Sequence, residues 1–146
     1  MDYFAYVASP YTPLGVSNKK EKKKIREERY EKVSEFCAGC LNKGLFVYSP
    51  IVHCHELAKK FNMPTDAAYW REYNSVMLRA SGGLWVYTLN GWDQSDGVQG
   101  ELDIAHDNKV SVAFVDPLNP AIKYTVIHYD KNKEKEEAPE PDGETP

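Results

Sequence analysis

The chain has 146 residues, a formal net charge of −4 and ordinary shares of hydrophobic (42%) and charged (27%) residues, which fits one globular domain with a real core. No apolar run approaches the roughly 20 residues that span a bilayer, and no basic segment followed by an apolar stretch opens the chain. Three cysteines, Cys37, Cys40 and Cys54, are an odd number and make no disulfide framework, so the expected compartment is a reducing cytoplasm.

Residues 3–8 (YFAYVA) are a short apolar run suited to a buried strand. Residues 9–15 (SPYTPLG) hold two prolines and a glycine and read as a loop. From 17 to 43 the spacing turns helical, with Ile25, Val33, Phe36, Cys37, Cys40 and Leu41 on one face and Gly44 as the stop. Residues 45–49 (LFVYS) predict a second strand. Ser49 then caps a helix with Pro50 at its first position, running to about residue 62. After Pro64, Thr65 is the expected cap of a helix over 66–80 whose inner face is Tyr69, Tyr73, Val76, Met77 and Ala80. Residues 83–89 (GLWVYTL) predict a third strand, followed by NGWDQSDGVQGE (90–101), whose end enters a helix to about residue 107. Residues 110–115 (VSVAFV) predict a fourth strand and 124–129 (YTVIHY) a fifth. Residues 130–146 hold seven acids against three lysines, a sum of −4, with three prolines and almost nothing to bury. That tail is expected to be a disordered, solubilising acidic segment, which leaves the body near neutral.

Strands alternating with helices predict right-handed crossovers and an α/β domain over residues 1–129. It is expected to be doubly wound on a mainly parallel sheet of four to five strands, of the Rossmann or flavodoxin-like kind. Ligands of such sheets bind beyond the carboxyl ends of the strands. That rule puts 9–11, the segment after Tyr48, and 90–101 on one rim. There, Ser95 can cap a helix, Gly97 lets a ligand approach the backbone, and the free N–H groups of the helix start suit a phosphate. Glu101 lies one to two turns further in. A single carboxylate beside an anion seat suits covalent attack at a sugar carbon. The competing reading is an ordinary capping turn with a solvated glutamate.

The segment AYVASPYT (5–12) and the pattern S-x-G-x-x-x-E at Ser95, Gly97 and Glu101 together resemble the nucleoside 2-deoxyribosyltransferase-like superfamily. Within it, the chain is similar to small phage and bacterial relatives and to the deoxynucleoside-monophosphate N-glycosidases, in pieces over about residues 3–115. The resemblance implies that Glu101 is the nucleophile forming a glycosyl ester and that Tyr6 orients it by a hydrogen bond. Ser95 stands where relatives acting on free nucleosides carry aspartate; a serine can donate to phosphate, whereas aspartate repels it. Gly97 would complete the phosphate seat, and Ser9, Pro10 and Tyr11 would line the sugar and base site. One position departs from the family: where it carries an aspartate before strand three, ungapped matching places Asn74, which can hydrogen-bond a base but cannot deliver a proton, leaving Glu72 or Asp93 as substitutes for that role. The resemblance also implies a homo-oligomer, no cofactor and no metal.

Other features have plainer readings. His53 and His55 in HCHE are two apart, so a helix points them in different directions; a helix start fits better than a metal site, although His53 near the rim could touch a ligand. Cys37 and Cys40 sit inside a helical pattern and read as core packing. The lysine-rich front of the first long helix reads as a solvated face that steers anions, and no nucleic-acid recognition motif is present. Of the aromatics near the rim (Trp92, Trp70, Tyr11 and Tyr48), Trp92 is the best placed to stack on a nucleobase. The expected function is cleavage or exchange of the N-glycosidic bond of a deoxynucleoside 5′-monophosphate. The alternatives are a non-catalytic nucleotide-binding or sensing domain and a deoxyribosyltransferase acting on free nucleosides.

Overall fold

The computed structural model describes residues 1–120. Four strands, β1 (Ala5–Ala8), β2 (Val47–Tyr48), β3 (Gly83–Tyr87) and β4 (Val112–Val115), alternate with helices α1 (Lys19–Asn42), α2 (Pro50–Phe61), α3 (Ala67–Ala80) and α4 (Asp96–Asp107). The order across the sheet is β2-β1-β3-β4 and every pairing is parallel. The chain moves outward from β1 to β2, then returns past β1 to build β3 and β4. The switch point therefore lies between β1 and β3, where a crevice opens at the carboxyl edge. The expected fifth strand and the acidic tail lie outside the described residues. No helix among the described residues is long and apolar enough to cross a membrane.

The side-chain period of two explains the layers. Ala5 and Val7 of β1 join Trp85, Tyr87 and the α1 residues Val33, Phe36, Cys37 and Cys40 in one apolar cluster. Tyr6 and Ala8 point the other way, into a second cluster with Leu84, Val86, Leu78 of α3 and Val98 and Ala105 of α4. Both faces are covered, so β1 and β3 are buried throughout, as parallel sheets require. The same alternation sends the one polar group of β1, the Tyr6 hydroxyl, towards α4.

Helix starts follow local chemistry. Asn18 caps α1 through its side-chain oxygen, Ser49 caps α2 with Pro50 at the first position, and Ser95 caps α4. The cap of α3 is Asp66, not Thr65, because the longer carboxylate accepts from Tyr69 N at 3.0 Å. Two expected faces are corrected. Leu41 is exposed, one position round from the buried Cys40, and Ile25 is only half-buried. On α3, Tyr69 and Val76 are each 52% exposed. The inner side keeps the expected Met77 and adds Trp70, Asn74 and Leu78, one residue round from the aromatic stripe. A polar Asn74 sits on that side because it borders a cleft, not a dry core.

Candidate functional site

The site is built where β1, β3 and α4 converge. Val98, Glu101 and Ala105 are the buried positions of α4, spaced by three and four, so Glu101 is a carboxylate set in an apolar stripe. It is 7% exposed. Tyr6 donates its hydroxyl proton to Glu101 Oε1 at 2.7 Å, across 95 residues of sequence. Burial pushes the Glu101 carboxyl up to about 8, against a smaller downward pull from the Tyr6 bond. The Tyr6 phenol is itself pushed well above its ordinary range, by burial first and by the neighbouring Glu101 second. Tyr6 is therefore a fixed donor. It holds one oxygen of Glu101 and leaves the other to the cleft that Glu101 borders.

That cleft has a volume of about 210 Å³, below the roughly 300–1,000 Å³ of drug-sized sites, so it fits a small ligand. Ser9, Tyr11, Asn74, Ser95, Gly97 and Glu101 line it together, which brings most of the expected site residues to one place. Pro10, expected to line the site, has a fully buried side chain and is not part of the cleft lining. Among the described residues, Ser9 Oγ and Asn74 Oδ1 are buried with no hydrogen-bond partner, a costly state that a ligand or ordered water relieves. Ser95 Oγ accepts from Val98 N at 3.3 Å. A side chain at Gly97 would meet only ordinary contacts, 3.8 Å from Ser95 Oγ and 4.0 Å from Ala67 Cβ, so protein packing alone does not demand glycine there.

The two rim loops are tied by one side chain. Arg29 of α1 donates from Nη1 to Tyr11 O and from Nη2 to Asn90 O, both at 3.1 Å. Gly91 follows with φ +90, a backbone region open to glycine at little cost, and it turns the chain back over β4. This turn corrects the expectation for Trp92. Its indole lies in a 3-10 turn, 5.3 Å from the Phe114 ring and packed on the second apolar cluster. It is not part of the cleft lining.

Beside Tyr11, the cleft holds the indole of Trp70, whose Nε1 donates to Pro64 O at 2.8 Å. Asp66, Trp70 and Asn74 fall at steps of four on one side of α3; that spacing was available in the sequence, but the aromatic stripe beside it masked it. Asp96 adds a further carboxylate to the lining, which contains no lysine or arginine. Arg71 borders a smaller adjoining recess of about 20 Å³, shared with Asn74, Asp96, Gly97 and Glu101.

The two histidines of HCHE diverge as expected. His53 is exposed and lies parallel to the Tyr73 ring at 6.3 Å. His55 is buried, stacks on Tyr30 at 4.2 Å, and shares a hydrogen bond between its Nδ1 and the Tyr11 hydroxyl. Its Nε2 stands 3.1 Å from Glu27 Oε1, without the alignment of a full hydrogen bond. The Glu27 carboxyl is held below its ordinary range by Lys59 first and also by His55, against the opposing effect of burial. Among the described residues, Glu27, His55 and Glu56 form a grouping of metal-ligand types within 4.8 Å. The Lys59 ammonium, 2.9 Å from Glu27 Oε1, already occupies the place of a cation. Cys37, Cys40 and Cys54 are free and buried; Cys54 alone of these lines the cleft.

Fold and site together define a doubly wound α/β domain with a ligand crevice and a buried carboxylate at its switch point. The chain belongs to the family described as "Domain of unknown function (DUF1937)", which it matches over residues 4–116. No curated protein matches it.

Proposed function

We propose that this domain cleaves or exchanges the N-glycosidic bond of a 2′-deoxynucleoside 5′-monophosphate through an ester between the sugar and Glu101. The observation that supports this most is the Tyr6–Glu101 pair at the wall of the cleft. A carboxylate held by one donor, in a site that excludes most water, is poised to attack carbon. In the first step an oxygen of Glu101 bonds to C1′ and the C1′–N bond breaks, with its electron pair leaving on the base. In the second, water or another base attacks C1′ and returns Glu101 as carboxylate. Ser9 and Asn74, with unpaired buried polar atoms, supply hydrogen bonds to the ligand after small adjustments, and Trp70 supplies a face for the base. The phosphate would rest at the start of α4, between Ser95 and Gly97, with Arg71 nearby.

A second reading takes the free nucleoside as substrate. Asp66 and Asp96 carry negative charge into the same lining and no basic side chain offsets it there, which disfavours a phosphate dianion. A third, ligand binding without turnover, is motivated by Asn74 in place of a proton-donating residue. The test is incubation with deoxynucleosides and their 5′-monophosphates, scored by chromatography for free base. Release from the monophosphates supports the first reading and release only from nucleosides the second. Calorimetric binding without release supports the third. Activity that survives Glu101→Ala removes the ester mechanism.

A further inference from the structure

We propose that Tyr11 is the general acid of this site and that His55 and Glu27 are the positioning residues that keep its proton available; this rests on the glycosidic reading above. A nucleobase leaving C1′ takes the bonding electron pair and departs far more readily if a proton meets it. Glu101 is engaged at the sugar carbon, and Asn74 has no proton to give at neutral pH. Of the other lining groups, Asp66 is spent capping α3 and Asp96 opens α4, positions where negative charge is favoured. Among the described residues the buried Cys54 thiol has no hydrogen-bond partner that would resupply a proton. Tyr11 has one.

Behind Tyr11 stands a file of groups leading from the cleft wall to the surface. The Tyr11 hydroxyl meets His55 Nδ1, His55 Nε2 lies 3.1 Å from Glu27 Oε1, and Lys59 Nζ lies 2.9 Å from the same oxygen. His55 is 4% exposed and clamped by the Tyr30 ring, whereas Glu27 is 31% exposed and Lys59 47%. The proton source thus reaches solvent at its outer end only. Ile51, His55 and Ala58 fall on one side of α2 at steps of four and three, and Ile51 and Ala58 both line the cleft. The phenol end of Tyr11 therefore meets α2 between two cleft-lining positions. Arg29 fixes the backbone of Tyr11 from the other side.

The hydrogen bond between Tyr11 and His55 has two settings. With His55 neutral and its proton on Nε2, the nitrogen facing Glu27, the phenol donates its proton to Nδ1 and has none for a ligand. With His55 as imidazolium, Nδ1–H donates to the phenol oxygen and the phenol proton is freed. Burial pushes the Tyr11 phenol up to about 12, with Arg26 pulling against it, so it keeps that proton until the base leaves. The Glu27 carboxylate stands 3.1 Å from the other ring nitrogen of His55. In the step itself, Glu101 bonds to C1′, the C1′–N bond breaks, the phenol proton passes to a base nitrogen, and the Nδ1 proton of His55 passes to the phenol oxygen. Resolution by water runs in reverse: water loses a proton through the phenol to His55 as its oxygen bonds to C1′. In base exchange, the incoming base N–H supplies that proton.

The experiment compares the full-length protein with Tyr11→Phe and His55→Gln on two substrate types. One is the set of deoxynucleosides and monophosphates; the other is 4-nitrophenyl 2-deoxyriboside, whose leaving phenolate needs no proton. The expected result is a loss of kcat of about 10²–10⁴-fold on the nucleobase substrates, exceeding the loss on the nitrophenyl substrate at least tenfold. Retained nitrophenol release shows in the same assay that the variants fold. Equal losses on both substrate types, or no loss on either, overturns the acid and leaves the Glu101 mechanism standing. A wild-type protein that releases neither base nor nitrophenol removes the glycosidic reading and the acid with it.

Discussion

Replacing Glu101 by glutamine keeps the size of the side chain and an acceptor for the Tyr6 hydroxyl, and removes only the ionisation. The folded-state value for Glu101 is about 8 against an ordinary 4.5, a gap of 8 − 4.5 = 3.5. At about 1.36 kcal/mol per unit, ionising this group in the fold costs up to about 5 kcal/mol. The native state holds the proton to higher pH than the unfolded chain does. Between about pH 4.5 and 8 it binds more protons, so stability falls as pH rises through that window and levels off above it. In the glutamine variant this contribution vanishes. Urea melts of both proteins at pH 5, 6, 7, 8 and 9 should give similar stabilities at pH 5. The variant's advantage should then grow by about 1.4 kcal/mol per pH unit up to about pH 8. Contributions from distant groups such as Glu27 cancel in the difference. Parallel curves, with a constant gap from pH 5 to 9, would mean that Glu101 ionises as if in water and that its burial has been misjudged.

Tyr6→Phe removes the one donor that favours the Glu101 carboxylate, so the rising limb of kcat/KM against pH should move further alkaline; an unmoved limb would show that Tyr6 does not set the ionisation. The same variant should lose about 1–3 kcal/mol of stability if it leaves the buried carboxyl without its partner, measured by urea melts at pH 5. Arg29→Ala unties the Tyr11 and Asn90 carbonyls, and ligand affinity by calorimetry should weaken about tenfold, with partial recovery in Arg29→Lys, which can reach only one carbonyl at a time. Trp92→Ala should cost about 1–3 kcal/mol of stability, as for loss of a partly buried aromatic, while Trp70→Ala should weaken ligand binding by about 1–3 kcal/mol, the worth of a base-stacking ring. The opposite pattern would return Trp92 to the site.

Much of this architecture could be read from residue order because local signals agreed with one another. The apolar runs at β1, β3 and β4, the Ser49-Pro50 start of α2 and the Ser95 cap of α4 each carry their cause within a few residues. Tyr6 and Glu101, 95 residues apart, were paired by resemblance alone; in physical terms the pairing follows from the pleat, which sends Tyr6 to the α4 side. The inner side of α3 was not legible, since two stripes one residue apart both had helical spacing and the cleft favoured the more polar one. Trp92 was misplaced because the φ of Gly91, which turns the indole towards Phe114, is invisible in a list of residues. The file of Tyr11, His55, Glu27 and Lys59 joins a loop and two helices, and no short-range pattern announces such a meeting.

The most direct test of a sugar ester on Glu101 is intact-protein and peptide mass spectrometry after rapid acid quenching with deoxynucleosides or their 5′-monophosphates. A deoxyribosyl adduct confined to the peptide that carries Glu101, and missing from the glutamine variant, is the expected result. Base released at full rate by the glutamine variant, or an adduct on any other residue, would contradict it.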